Sequence, residues 1–155
     1  MKKFLSIAIC AIAVLLLAQC SISRKLEAKA YPIDFTELHN YYVLNTHKVK
    51  KVERKIITSE DEFFSIFGEA AVMGTNGNPT PVNFKTQFVL AVILPETNRS
   101  VSVYPAQVLE NGNAVIFDYK VDKGSKNTYT MVPFTAIAID RPLEMLSMEF
   151  YFRQK

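Results

Sequence analysis

Hydrophobic and polar positions alternate differently in successive parts of the chain. Phe4 through Ala18 is apolar at every position except Ser6, an unbroken run with no amphipathic face. Beyond Tyr31-Pro32, where proline disfavours helix at the residue before it, the pattern shortens to strand length. Tyr41 to Asn45 and Val49 to Thr58 read as strands; in the second, Val52 and Ile56 share a face with Lys50 and Arg54, opposite Lys51, Glu53 and Lys55. One helix is predicted next. Ser59 can accept from the backbone N–H of Glu62, Glu60 and Asp61 suit the positive end of the helix dipole, and Phe63, Ile66 and Phe67 form an i, i+3, i+4 stripe with Gly68 as the stop.

Gly74 to Pro81 is dense in turn formers and reads as a projecting loop. The rest is β. Phe88 to Leu94 is continuously apolar, as in a strand covered on both faces. Pro95 to Asn98 is a turn, Arg99 to Tyr104 alternates, and Pro105 marks a bulge or an edge. Asn111-Gly112 predicts a tight hairpin. In the returning strand Val115, Phe117, Tyr119 and Val121 face the core, and Ile116, Asp118 and Lys120 a mostly wet side. Asp122 to Lys126 reads as a further turn, Tyr129 to Ile139 as a strand interrupted by Pro133, and Leu146, Met148, Phe150 and Phe152 as one face of the last strand. The expected fold is α+β: an antiparallel twisted sheet, or partly open barrel, of six to seven strands with one short helix.

Composition refines the two ends of this picture. The chain has 155 residues, with 18 Lys and Arg against 15 Asp and Glu. Lys2 and Lys3 before the apolar run, and Gln19-Cys20-Ser21 after it, make residues 1–20 a secretory signal peptide too short for a comfortable span. All the acidic residues follow Cys20, so loss of the signal leaves 16 basic residues facing 15 acidic ones. Near-neutrality removes the argument for nucleic-acid binding. Leu17-Ala18-Gln19-Cys20 resembles a bacterial lipobox, with Gln19 in place of a small residue; cleavage by ordinary signal peptidase is the alternative. On the first reading Cys20 is the lipid attachment site and the membrane is reached through acyl chains. Residues 21–30 are a tether or an N-terminal arm, and 31–155 a single domain. Cys10 lies inside the signal, so the mature chain holds no internal disulfide and no cysteine metal site.

Reactive chemistry is sparse. His39 and His47 lack the spacing of a zinc site, and Asp34, Glu37 and His39 fit solvent-facing linker residues better than ligands. No nucleophile elbow, P-loop or dinucleotide fingerprint occurs. Lys48, Lys50, Lys51, Arg54 and Lys55 suit either an anionic lipid surface or, better, the lysine-laced edge of a sheet. Asn98-Arg99-Ser100 matches the N-glycosylation pattern by chance.

The order of features from Ile56 to Arg141 resembles the PrcB family, the protease-complex subunit domain of bacterial surface lipoproteins. Ile57-Thr-Ser-Glu-Asp-Glu-Phe63-Phe, Pro81-Val-Asn-Phe84, Phe88 to Leu94 and Thr130-Met-Val-Pro133-Phe-Thr-Ala-Ile137 carry it. Where the family has a Thr/Ser-Gly-Gly-Tyr turn, this chain has Glu96-Thr-Asn-Arg99-Ser-Val. The resemblance implies a lipid-anchored, non-catalytic accessory protein of the bacterial envelope, at the outer membrane, associating with a surface protease or another envelope protein and using no cofactor. If the lipobox is not used, the protein is secreted. The expected contact is the loops at 74–81 and 95–100 with the strand edge near Arg99 to Tyr104, offering Asn76, Asn78, Thr97, Asn98, Arg99 and Tyr104. Two rivals stand beside it: a small-molecule or glycan-binding module stacking ligands on Tyr41, Tyr42 and Tyr104, and a hydrolase assembled around His39 or His47.

Overall fold

A computed structural model describes residues 30–155 except 72, 75, 76, 143 and 144. Signal, lipobox and most of the tether therefore lie outside the described residues. Among the described residues the fold is mixed α+β, mostly antiparallel, with one short helix, and no sheet closes into a barrel.

In chain order the strands are β1 (Tyr31–Ile33), β2 (Thr36–Glu37), β3 (Tyr41–Val43), β4 (Glu53–Ile57), β5 (Phe67–Glu69), β6 (Gln87–Ile93), β7 (Thr97–Asn111), β8 (Ala114–Met131), β9 (Phe134–Asp140) and β10 (Glu149–Gln154). Helix α1 (Glu60–Ile66) lies between β4 and β5, and a 3-10 turn (Met145–Ser147) precedes β10. One sheet has the order β1-β7-β8-β10, a second β2-β9-β6-β4, and β3 pairs with β5. Among the described residues this is more strands than the pattern suggested, because the short β1, β2 and β5 carry too few residues to show a period; β3 falls within the expected Tyr41 to Asn45 strand.

The β6 run explains the layering. Phe88, Leu90 and Val92 point into a core shared with Val108, Val115, Phe117 and Tyr119 of the first sheet, while Val89, Ala91 and Ile93 pack under α1 and β5. All six are essentially inaccessible to solvent. A strand between two apolar layers has no wet face, so every position must be apolar. On the helix side the small Ala91, Ala136 and Ala138 leave room for rings: Phe63 meets Phe67 at 5.0 Å, Phe84 at 5.7 Å and, edge-on, Tyr41 at 5.1 Å. The helix starts as read, with Glu62 N–H donating to Ser59 Oγ at 3.3 Å.

Several local expectations are corrected. Gly68 does not stop α1; the helix ends at Ile66 with Phe67 already extended, and Gly68 lies in β5 beneath the Tyr42 ring. The hairpin's central residues are Gly112 and Asn113, one later than read, because Asn111 pairs with Ala114; of the two only Gly112 has positive φ, at 60°. Asp122 to Lys126 is not a reversal but part of β8. Val101 pairs with Lys123 and Arg99 with Lys126, so three steps along β8 match two along β7 and the turn-forming residues are absorbed in a bulge; five steps match two from Lys126 to Met131, opposite Arg99 to Thr97. Pro105 does sit at a register shift. The Tyr129 to Ile139 segment is split at Pro133 between two sheets, and Leu146 belongs to the 3-10 turn rather than to β10. Gly77 is buried and the loop's second half is tied down: Thr80 N–H donates to the His39 carbonyl, and Tyr41 OH to the Thr80 carbonyl.

β7 and β8 outrun their neighbours. β1 covers β7 only at Val108–Glu110, and β10, running parallel to β8, covers it only at Ala114–Tyr119. Beyond those points β7 and β8 continue as a two-stranded ribbon. Tyr31, where β1 begins, pairs with Glu110 beside the hairpin turn, so the start of the described chain and the far end of the ribbon lie at opposite ends of β7.

Candidate functional site

The ribbon ends over a groove of about 430 Å³. Its apolar wall is Val52, Leu94, Val101, Val121 and Pro133; Arg99, Lys123, Glu96, Thr97 and Gln154 supply the polar rim. Strand alternation makes this wall. Val101 pairs with Lys123 and Val103 with Val121, so these residues share the inward face of the ribbon, while Ser102, Tyr104, Lys120 and Asp122 share the outward face. The Thr97 hydroxyl accepts from Arg99 N–H at 3.2 Å, a local bond that fits the bulged register there. Arg99 Nη1 in turn donates to the Gly124 carbonyl at 3.4 Å, which holds the guanidinium across the ribbon.

Charge on the ribbon is unevenly satisfied. Glu96 accepts from Thr130 Oγ1 at 2.7 Å and Asp122 from Tyr104 OH at 2.9 Å. The Asp122 carboxylate, as acceptor of that bond, raises the Tyr104 hydroxyl above its ordinary value. Arg99, Lys120, Lys123 and Lys126 have no carboxylate partner among the described residues. Among the described residues no strand neighbours either outer backbone edge of the ribbon there, as an added strand requires.

Of the residues singled out in the sequence, Thr97 and Arg99 line the groove. Asn98 is exposed on the same strand, and Tyr104 lies on the ribbon's outward face. Asn78 is elsewhere: its carbonyl accepts from Asn40 Nδ2 at 2.9 Å in the loop that packs on residues 39–41. Cys20 and Asn76 lie outside the described residues. The three tyrosines are not gathered into one platform. Tyr41 packs on Phe63 with its hydroxyl raised by burial and then by the Glu69 charge, Tyr42 covers Gly68, and Tyr104 is on the ribbon. His39 N–H donates to Thr80 Oγ1, and His47 Nε2 meets Glu53 Oε2 at 2.9 Å. No group of three potential metal-binding side chains forms among the described residues. In the basic segment, β4 is the outer strand of its sheet, so Arg54 and Lys55 do lie on an edge.

Asp118 was misread. Although it sits on the face of β8 expected to be wet, it and Ile116 are buried. Arg153 grips both its oxygens, Nε to Oδ1 at 2.7 Å and Nη2 to Oδ2 at 2.9 Å, while Gln107 Nε2 donates at 2.8 Å and Lys155 Nζ lies 3.4 Å away. Burial raises this carboxyl; the bonds from Arg153 and Gln107 and the charges of Arg153 and Lys155 outweigh it, and the net shift is below the ordinary value. Ile116 is flanked across the ladder by Leu109 and Tyr151. The available signal was an acid inside the apolar run Ala114 to Tyr119 and an arginine two places after Tyr151.

Comparisons of the chain with protein-family models, with curated proteins and with solved structures find no match in any of the three. Among the described residues no helix is long and apolar enough to cross a membrane.

Proposed function

We propose that this chain is a lipid-anchored protein of the bacterial envelope, a non-catalytic binding module that holds an extended segment of another envelope protein. The PrcB resemblance suggests a surface protease as that partner, and Cys20 as the acylated anchor. The observation that carries the reading is the ribbon: two strands whose outer edges have no partner strand among the described residues, beside an apolar groove. Such an edge binds mainly through backbone groups, while pockets beside it select alternate side chains. That mode fits a chain whose motifs include no catalytic signature.

The ribbon is also well placed for an anchored protein. From Glu110 to Arg99 a strand covers roughly 35 Å, and a tether of residues 21–30 reaches about as far when extended. That length puts the hairpin end of β7 within reach of acyl chains on Cys20.

Site-specific photo-crosslinking in the native envelope tests this. A photoreactive residue at Asn98 or Lys126 is expected to capture one protein, and the same residue at Asn113 to capture none of it. Equal capture from all three positions, or from none, removes the ribbon as the binding surface.

A further inference from the structure

We infer that the segment held by the ribbon is acidic, presenting a carboxylate to Arg99 and Lys123 two positions from an apolar side chain seated in the groove. This deepens the binding reading above and rests on it. The cations come first. Arg99 and Lys123 are the two basic residues at the groove, both lack a carboxylate partner among the described residues, and Arg99 is held across the ribbon by its bond to the Gly124 carbonyl. The one acid in the lining, Glu96, already accepts from Thr130.

Apolar and charged parts of the groove follow one another along the strands. Val121 of the lining, paired with Val103 just beyond it, is succeeded by the Val101–Lys123 pair and then by Arg99. An added strand sends alternate side chains to the same face, about 7 Å apart. An apolar residue over the valines therefore brings its second neighbour to the basic end. The volume, about 430 Å³, suits a side chain or two rather than a folded surface.

Charge argues against other occupants. A second copy of the ribbon would set Arg99 and Lys123 against their own counterparts, a repulsive arrangement. Anionic headgroups match the cations but leave the valine wall and the strand edges unused.

The full chain in detergent, panned against displayed random octapeptides, tests the assignment. Enriched sequences should carry Asp or Glu two places from an apolar residue. A synthetic peptide of that type should bind R99E/K123E about a hundredfold more weakly, roughly tenfold for each of the two charged contacts, and bind less tightly as salt rises. K120E changes charge by two units on the outward face and should leave Kd unaltered. Matching unfolding midpoints of the variants would confirm that the fold is intact; if R99E/K123E unfolds, R99Q and K123Q measured singly replace it. Enrichment without acids, equal weakening by K120E, or no enrichment at all would overturn the acidic assignment. So would charge-reversal-sensitive binding to phosphatidylglycerol vesicles with no peptide selected, which would give the cations to lipid. None of these outcomes touches the crosslinking result, which separately decides whether the ribbon holds a protein.

Discussion

Asp118 is fully buried, and a lone buried carboxylate would be expensive; with Arg153 on both oxygens, Gln107 and Lys155, it becomes a clamp joining β7, β8 and β10. Its folded value is depressed relative to the unfolded chain. Stabilisation from this group is therefore complete above the unfolded carboxylate value and is lost as pH falls through the folded one. Asp118→Asn keeps the shape but strands the Arg153 charge, and is expected to cost about 2–3 kcal/mol near neutrality. Urea unfolding should show this, with the wild-type midpoint falling as pH drops below the unfolded carboxylate value and through the lower folded one, and the variant's changing less there. An unchanged neutral midpoint would rule out the clamp. The sequence showed an acid in a strand and an arginine in another, but not their register. β10 runs parallel to β8 after a crossing from the other sheet, and no local period encodes a pairing between residues 35 apart. Thr97 and Arg99, singled out at a turn-and-strand junction, line the groove; Asn78 shared the same polar character, yet its loop is drawn onto residues 39–41.

Legibility at the level of elements followed how completely local chemistry decided the outcome. The α1 start depends on a serine and the amides just after it, and the helix forms there. The β6 run has one solution, burial on both faces, and adopts it. Asp122 to Lys126 has the residues of a turn, but the neighbouring β7 supplies ladder partners and bulges accommodate the extra length. Gly68 likewise reads as a helix stop and serves another purpose. A Cβ built there would lie 2.6 Å from Tyr42 Cζ, so the close approach of β5 to the Tyr42 side chain on β3 depends on hydrogen at this position. Gly68→Ala is expected to destabilise by about 1–3 kcal/mol through overpacking. In a Tyr42→Ala background the same change should cost little, since the clashing ring is gone. A double-mutant cycle by denaturant unfolding measures the coupling; additive losses would mean that the steric contact is not what fixes β5.

Across the whole molecule, the separation between tether and ribbon gives the proposed anchoring a geometric consequence. β1 starts opposite Glu110, next to the Gly112–Asn113 turn, and the groove lies at the other end of β7. An acylated Cys20 followed by residues 21–30 keeps the hairpin turn within about 35 Å of the bilayer. On the proposed anchoring the cationic ribbon, roughly another 35 Å along the strand, is the part that would face a partner. A fluorophore at Asn113 and another at Lys126, in separate single-label proteins reconstituted into vesicles with headgroup quenchers, should differ: strong quenching at 113 and weak quenching at 126. Cys20→Ser should abolish vesicle attachment and quenching at both positions. If 126 is quenched as strongly as 113 while attachment still requires Cys20, the anchor survives but the ribbon lies on the membrane. The basic residues that rim the groove would then face phosphates, and the partner-directed orientation would be lost even though every local contact described for the ribbon remained in place.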